Sequence, residues 1–419
     1  MIKAVVGLQF GDEGKGKFVD YLAKSAQHIV RFNGGANAGH TVQHNNQRAF
    51  FSQIPATLHH TNLYISQGAL TSPEILIREL KFLEDMNIPS KVHIDPRSHI
   101  VLPIHEKLNK ASEKFKGKKK IGSVGKGIGA CFEDKSNRHG VRLIDLLDKN
   151  ILSNKLELLW EIRERQINKV FDGELDLRFD DVVETYYNYG KIIEPYFSFT
   201  NDLLSSAISR NEQILLETSQ ATFLDNAFGT YPYTVAYQTL VQSCFPLMGL
   251  PSQEIDAIGV FKAYMIRVGN GPFPSEIHTS LADEIRIKGN EFGTVSNRPR
   301  RCGWLDLNLI KHAVKLNGIK KLAITNVDVL SGLGTIKVAT GYELNGKKVC
   351  SNTALMFFDD VTPTYLEFES WPELESTCYS YNDLPSNLKK YLEFIEDYVG
   401  VSIGYISYGP DRNQTIEVL

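Results

Sequence analysis

Apolar residues fall in short runs separated by glycine-bearing turns. Residues 2–8 (Ile2-Lys3-Ala4-Val5-Val6-Gly7-Leu8) form a nearly continuous apolar run, the pattern of a strand buried on both faces. Gly11, Gly14 and Gly16 follow, and then Phe18, Val19, Tyr21 and Leu22 recur at helical spacing, so the turn is predicted to open a helix. A second run at 29–32 leads into Gly34-Gly35-Ala36-Asn37-Ala38-Gly39-His40-Thr41. Further strands are expected at 63–66, 213–217, 255–268, 320–325 and 401–407, and helices at 73–86, 104–115, 152–170, 305–316 and 384–399. This alternation predicts an α/β fold with a large, mainly parallel central sheet flanked by helices. If the strands before the two glycine turns are neighbours, both turns lie beyond the carboxyl ends of the sheet, where open α/β sheets bind ligands.

Composition narrows the class. At about 150 residues per domain, 419 residues allow two or three, but no linker or repeat divides the chain. One domain spanning 1–419, with helical insertions at about 100–210, is therefore expected. With 46 basic and 49 acidic residues the net charge is −3, so no global positive field points to nucleic acid or a membrane surface. The basic run 116–120 reads as a solvated turn. Five scattered cysteines (Cys131, Cys244, Cys302, Cys350, Cys378) contain no C-x-x-C pair, which argues against a disulfide framework or structural zinc. The amino-terminal apolar run is too short for a signal peptide, and no run of 18 apolar residues occurs. A cytoplasmic protein is expected.

The candidate chemistry sits on the two glycine turns. Gly11-Asp12-Glu13-Gly14-Lys15-Gly16-Lys17 resembles a phosphate loop without the Walker A spacing. Glycines admit backbone N–H groups to an anion, the helix start is electropositive, and the lysines add charge. Asp12 repels a phosphate unless it holds a metal or takes a proton. Alone, the heptapeptide reads equally as an ordinary glycine turn. His40 and Asn37 on the second turn favour acid–base and phosphate chemistry.

In order along the chain, Gln9 to Lys17, Asn37 to Thr41, Gly127-Ile128-Gly129 with Glu133-Asp134-Lys135 and Arg138, Gly229 to Tyr233, Arg267 to Pro274, Gly289 to Gly293, Arg298 to Trp304 and Gly409 to Arg412 resemble the adenylosuccinate synthetase family. That resemblance implies a P-loop-like GTP-binding ligase fold and a GTP-dependent ligase joining L-aspartate to C6 of inosine monophosphate (IMP) through a 6-phosphoryl intermediate. It implies catalytic roles for Asp12, His40 and Gln220, and Mg²⁺ held by Asp12 and the Gly39 carbonyl. GTP, the co-substrate, would meet Gly11, Asp12, Glu13, Gly14, Lys15, Gly16, Lys17, Gly39, His40, Thr41, Arg300, Asn326, Asp328, Ser407 and Gly409. The acceptor and L-aspartate would meet Asn37, Val124, Arg138, Gln220, Val235, Val268, Thr294, Val295, Ser296, Arg298 and Arg300. Arg138 is implied to reach a neighbouring subunit's site, making a homodimer.

Several positions depart from the family pattern. Val124 and Val235 stand where threonines for the IMP 5′-phosphate are expected. Losing two charge-assisted bonds at about 1.5–3 kcal/mol each weakens affinity by a factor of hundreds unless compensated. Thr218-Ser219-Gln220-Ala221 lacks the expected glycines, residues 239–244 replace a glycine-rich run, Asn297 replaces a glycine and Asn326 a lysine. Two alternatives stand beside the IMP ligase: the same chemistry on another 6-oxopurine or lactam acceptor, or an inactive GTP-binding homologue.

Overall fold

Ile2–Gly7 (β1) is the middle strand of a nine-stranded sheet in the computed structural model, which describes residues 1–44, 47–88, 90–293, 298–374 and 380–418. The expectations for Thr294, Val295, Ser296, Asn297 and Cys378 lie outside the described residues. In chain order the other strands are His28–Arg31 (β2), Asn62–Ile65 (β3), Lys91–Ile94 (β4), Ile214–Ala221 (β5), Ile255–Lys262 (β6), Lys321–Thr325 (β7), Ile403–Ser407 (β8) and Thr415–Glu417 (β9). Their spatial order is β9-β8-β7-β6-β1-β5-β2-β3-β4, parallel except for the β8–β9 pair. Side chains of β1 alternate between faces: Ala4 and Val6 join one apolar cluster, and Val5 joins the other. Each fully buried valine contributes about 1.5–3 kcal/mol, so the strand that carries the phosphate-type loop is firmly anchored.

The observed order corrects one expectation. β1 and β2 are not neighbours, because β5 lies between them and pairs with both. The glycine turns still emerge at the same sheet edge, but a third strand end, 217–221, stands between them. The expected strand 255–268 is also broken. Gln9, buried at the end of β1, accepts from Lys262 N (3.1 Å) and donates to the carbonyls of Lys262 and Tyr264 (3.2 and 3.0 Å). That side chain takes backbone groups a ninth-residue ladder would use. The chain leaves the sheet, and Met265–Arg267 pairs antiparallel with Arg301–Gly303 instead.

Between β4 and β5 run the helices Pro103–Lys116, Ile128–Asn137, Lys149–Arg165, Phe179–Ile193 and Thr200–Ser209. The hydrophobic pattern predicts the first and third. Phe179–Ile193 escapes it because Gly190 interrupts the stripe, yet a Cβ there would lie 2.6 Å from the Leu146 carbonyl oxygen. The antiparallel pair Thr335–Leu344 and Thr362–Glu369 is likewise absent from the expectations, since much of the second strand is exposed and polar. Residues 117–119 form an exposed single turn, as a solvated basic segment should. Among the described residues no helix is long and apolar enough to cross a membrane.

The helix expected at 305–316 spans Leu307–Asn317, because Asp306 caps it. The carboxylate accepts from Asn308 N and Leu309 N (3.1 and 3.2 Å), and Tyr342 O–H donates to its other oxygen at 2.6 Å. Asp306→Ala removes the cap and strands a buried tyrosine hydroxyl. It should cost about 2–4 kcal/mol in urea unfolding, whereas Asp306→Asn, which keeps an acceptor, should cost clearly less.

Candidate active site

The loop after β1 is built around Glu13. Its Oε1 accepts from Gln9 N (3.1 Å) and Gly11 N (2.8 Å), and its Oε2 pairs with Lys15 at 2.6 Å. Gly11 and Gly14 hold φ of 95° and 92°, a region open to glycine at little cost. Lys17 points away from the loop's open side and donates to Ser407 Oγ, Gly409 O and Gln414 O at 2.7–2.8 Å. Burial lowers its pKa to about 7 against the opposing pull of Asp328 and Asp411. Glu13 and Lys17, both singled out for nucleotide contact, are thus engaged in fastening the loop to itself and to the carboxyl-terminal segment.

Beside this loop opens a cleft of about 850 Å³ lined by Gly11, Asp12, Gly14, Lys15 and Gly16 from the first turn and Asn37 to Thr41 from the second. Asp12 and His40 share it. Asp12 holds φ of 58°, and its side chain remains 39% open to the cleft. Burial raises the carboxyl's pKa, but Arg300, Lys262, Lys15 and His40 together outweigh that and hold it below the ordinary value. Arg300 Nη2 lies 2.6 Å from Asp12, and its Nη1 lies 2.9 Å from Glu291, which also binds Lys262 and Tyr264. Positive and negative groups alternate from Lys262 to Asp12, so Arg300 is oriented from behind.

His40 is held by Glu217, a residue that sequence reasoning did not single out. The imidazole Nδ1 hydrogen-bonds the Glu217 carboxylate, which also accepts from Ala56 N at 3.0 Å and lies 3.5 Å from Arg31. Burial lowers the imidazole's pKa more than Glu217 raises it. Burial works against the Glu217 charge, but His40, Arg31 and the Ala56 amide keep it ionised. A lone acidic residue inside the apolar run of β5 was the available signal, as was Arg31 at the end of β2.

Gln220, at φ 66°, donates to the Asn37 carbonyl at 3.3 Å. Val124, Val235 and Val268 line the same cleft with Arg300, and Val124 and Val268 are about half exposed. Asn326 (φ 58°), Asp328, Ser407 and Gly409 gather instead on the far side of Gly14–Lys17, with Thr325 bridging to Glu13 O at 2.8 Å. Asp328 Oδ1 is buried without a hydrogen-bond partner, and burial raises its pKa. Arg138 (φ 67°) is exposed and Arg298 follows the undescribed 294–297, neither lining this chain's cleft.

A family model described as adenylosuccinate synthetase matches residues 4–416. The chain belongs to the adenylosuccinate synthetase family. It is 62% identical over the full length of both chains to an adenylosuccinate synthetase 1 from Photorhabdus laumondii. It is 40% identical to the enzyme of Borrelia duttonii, covering 99% of this chain and 97% of that one. A fully ligated adenylosuccinate synthetase from Plasmodium falciparum superimposes with a TM-score of 0.92 at 31% identity, covering 100% and 99%. The chain is accordingly a GTP-dependent ligase of IMP and L-aspartate, and neither alternative acceptor nor loss of catalysis gains support.

Glu217→Gln preserves shape but removes the charge that orients His40. Turnover should fall by about 10²–10⁴-fold with the KM for GTP nearly unchanged, read from steady-state kinetics on a variant whose unfolding midpoint confirms folding.

Proposed function

We propose that Asp12 is the base that takes the N1 proton of IMP, making O6 nucleophilic toward the γ-phosphorus of GTP. The O6–P bond forms as the bond to GDP breaks, and His40 stands beside the transferring group. Gln220 faces the purine. The amine of L-aspartate then attacks C6, losing a proton as phosphate leaves with its oxygen. A lactam oxygen is a poor leaving group, and phosphorylation makes it a good one. The observation that carries this reading is the convergence of Asp12 and His40 on one cleft floored by both glycine turns. Fixed donors and cations around that floor suit spread phosphoryl charge.

Residue roles follow from position. Gly11, Gly14, Lys15, Gly16, Gly39 and Thr41 flank the triphosphate end, with Glu13 and Lys17 shaping the loop. Asp328, with its unpartnered buried oxygen, suits the N–H groups of guanine, framed by Asn326, Ser407 and Gly409. Asn37, Val124, Val235 and Val268 face the acceptor, and the planar guanidinium groups of Arg298 and Arg300 suit the carboxylates of L-aspartate. An ionised Asp12 open to the cleft and the neighbouring Gly39 carbonyl are an oxygen donor set suited to Mg²⁺. Among the described residues no group of three metal-ligating side chains occurs, so the remaining ligands would be phosphate oxygens and water. Bound there, Mg²⁺ supplies neutralisation of phosphate charge. The exposed Arg138 suits contact with a second subunit's site in a homodimer, and four free cysteines among the described residues suit the cytoplasm. Two apolar clusters backing one sheet support reading 1–419 as one domain.

Incubation with GTP, Mg²⁺, IMP and L-aspartate should release one phosphate per adenylosuccinate formed, followed by absorbance and phosphate assay. Asp12→Asn should abolish this while largely sparing GTP binding; turnover like the parent's would overturn the base assignment. Val124→Thr with Val235→Thr should tighten IMP by about 10-fold or more, read as KM, since both positions line the cleft.

A further inference from the structure

Tyr237 was not among the residues that the sequence singled out. It is buried, and its ring stacks on Phe132 with centroids 5.0 Å apart and planes 27° from parallel. The same apolar cluster holds Leu70, Val101, Ile128 and Cys131, with Val235 packed against it. Its hydroxyl does not end in this apolar surround. Asn37 Nδ2 donates to it at 3.3 Å, and the Asn37 carbonyl in turn accepts from Gln220 Nε2 at 3.3 Å.

Three elements of the cleft are therefore joined through Asn37: its amide meets the loop that carries Val235 at the Tyr237 hydroxyl, and its carbonyl meets the end of β5 at Gln220. The approach is close enough to need Gly34, where a Cβ would lie 2.9 Å from the Tyr237 hydroxyl. Asn37 Oδ1 is buried without a partner, so the bond from Nδ2 to Tyr237 sets which way the amide faces. Gln220, in the left-handed region, is anchored by the Asn37 carbonyl. Neither amide would keep one orientation from its own backbone alone.

We propose that Tyr237 is a positioning residue for the acceptor, its hydroxyl orienting the amide of Asn37, the residue on whose carbonyl Gln220 is anchored, toward IMP. This rests on the reading of those two residues as acceptor-facing. It also means that the acceptor end of the cleft is organised from behind its wall, by a buried phenol, while the wall itself carries the methyl groups of Val124 and Val235.

Tyr237→Phe keeps the ring on Phe132 and removes only the hydroxyl. The KM for IMP should rise about 5- to 10-fold, the value of one buried hydrogen bond, with the KM for GTP within twofold of the parent. Asn37→Ala should raise the KM for IMP by itself, and adding Tyr237→Phe to it should have less effect than in the parent, because both act through one amide. If Asn37→Ala weakens IMP and Tyr237→Phe leaves that KM unchanged, Tyr237 only packs and the proposal is overturned. If Asn37→Ala leaves IMP unaffected, the acceptor-facing reading itself fails, and the proposal falls with it. A Tyr237→Phe variant that loses thermal stability but binds IMP normally also counts against it.

Discussion

A single buried carboxylate, Glu217, joins pieces of chain that lie far apart in the sequence. It orients the imidazole of His40, accepts the amide of Ala56 and faces the guanidinium of Arg31. Burying that charge is tolerable only because the partners surround it, and removing one side of such an arrangement typically costs about 3–5 kcal/mol. The arrangement exists because β5 inserts between β1 and β2. Its register sets Glu217 level with Arg31 and carries Gln220 to the mouth of the cleft.

The opposite wall is organised by the same kind of alternation. Lys262, Glu291, Arg300 and Asp12 succeed one another with opposite signs, each charge held by the next. The result is a carboxylate kept ionised at the floor of a cleft by cations, across from an imidazole kept in place by an anion. Those unlike settings suit the roles proposed for them, a base and a phosphate-facing imidazole.

Backbone conformation is unusual where function is expected. Asp12, Arg138, Gln220 and Asn326 all hold φ between 58° and 67° without being glycine. Such conformations persist where surrounding contacts enforce them, and they cluster at sites that need a side chain aimed against local preference. The Glu13 cradle enforces one of these, and the hydrogen bond from Gln220 to the Asn37 carbonyl braces another.

The apolar runs and glycine spacing determined the alternation of strand and helix, the buried character of β1, and the pairing of Asp12 with His40 on two turns. Those are local properties, written in periodicity and in motifs whose chemistry is recognisable residue by residue. Strand order decided the rest. Glu217, Arg31 and Tyr237 look like ordinary members of strands and loops until β5 separates β1 from β2. Lys17 looks like a phosphate ligand until the carboxyl-terminal segment folds onto it. A side chain's partner 180 or 390 residues away depends on which surfaces the packed sheet brings together, and no local pattern of apolar and polar positions encodes that distance.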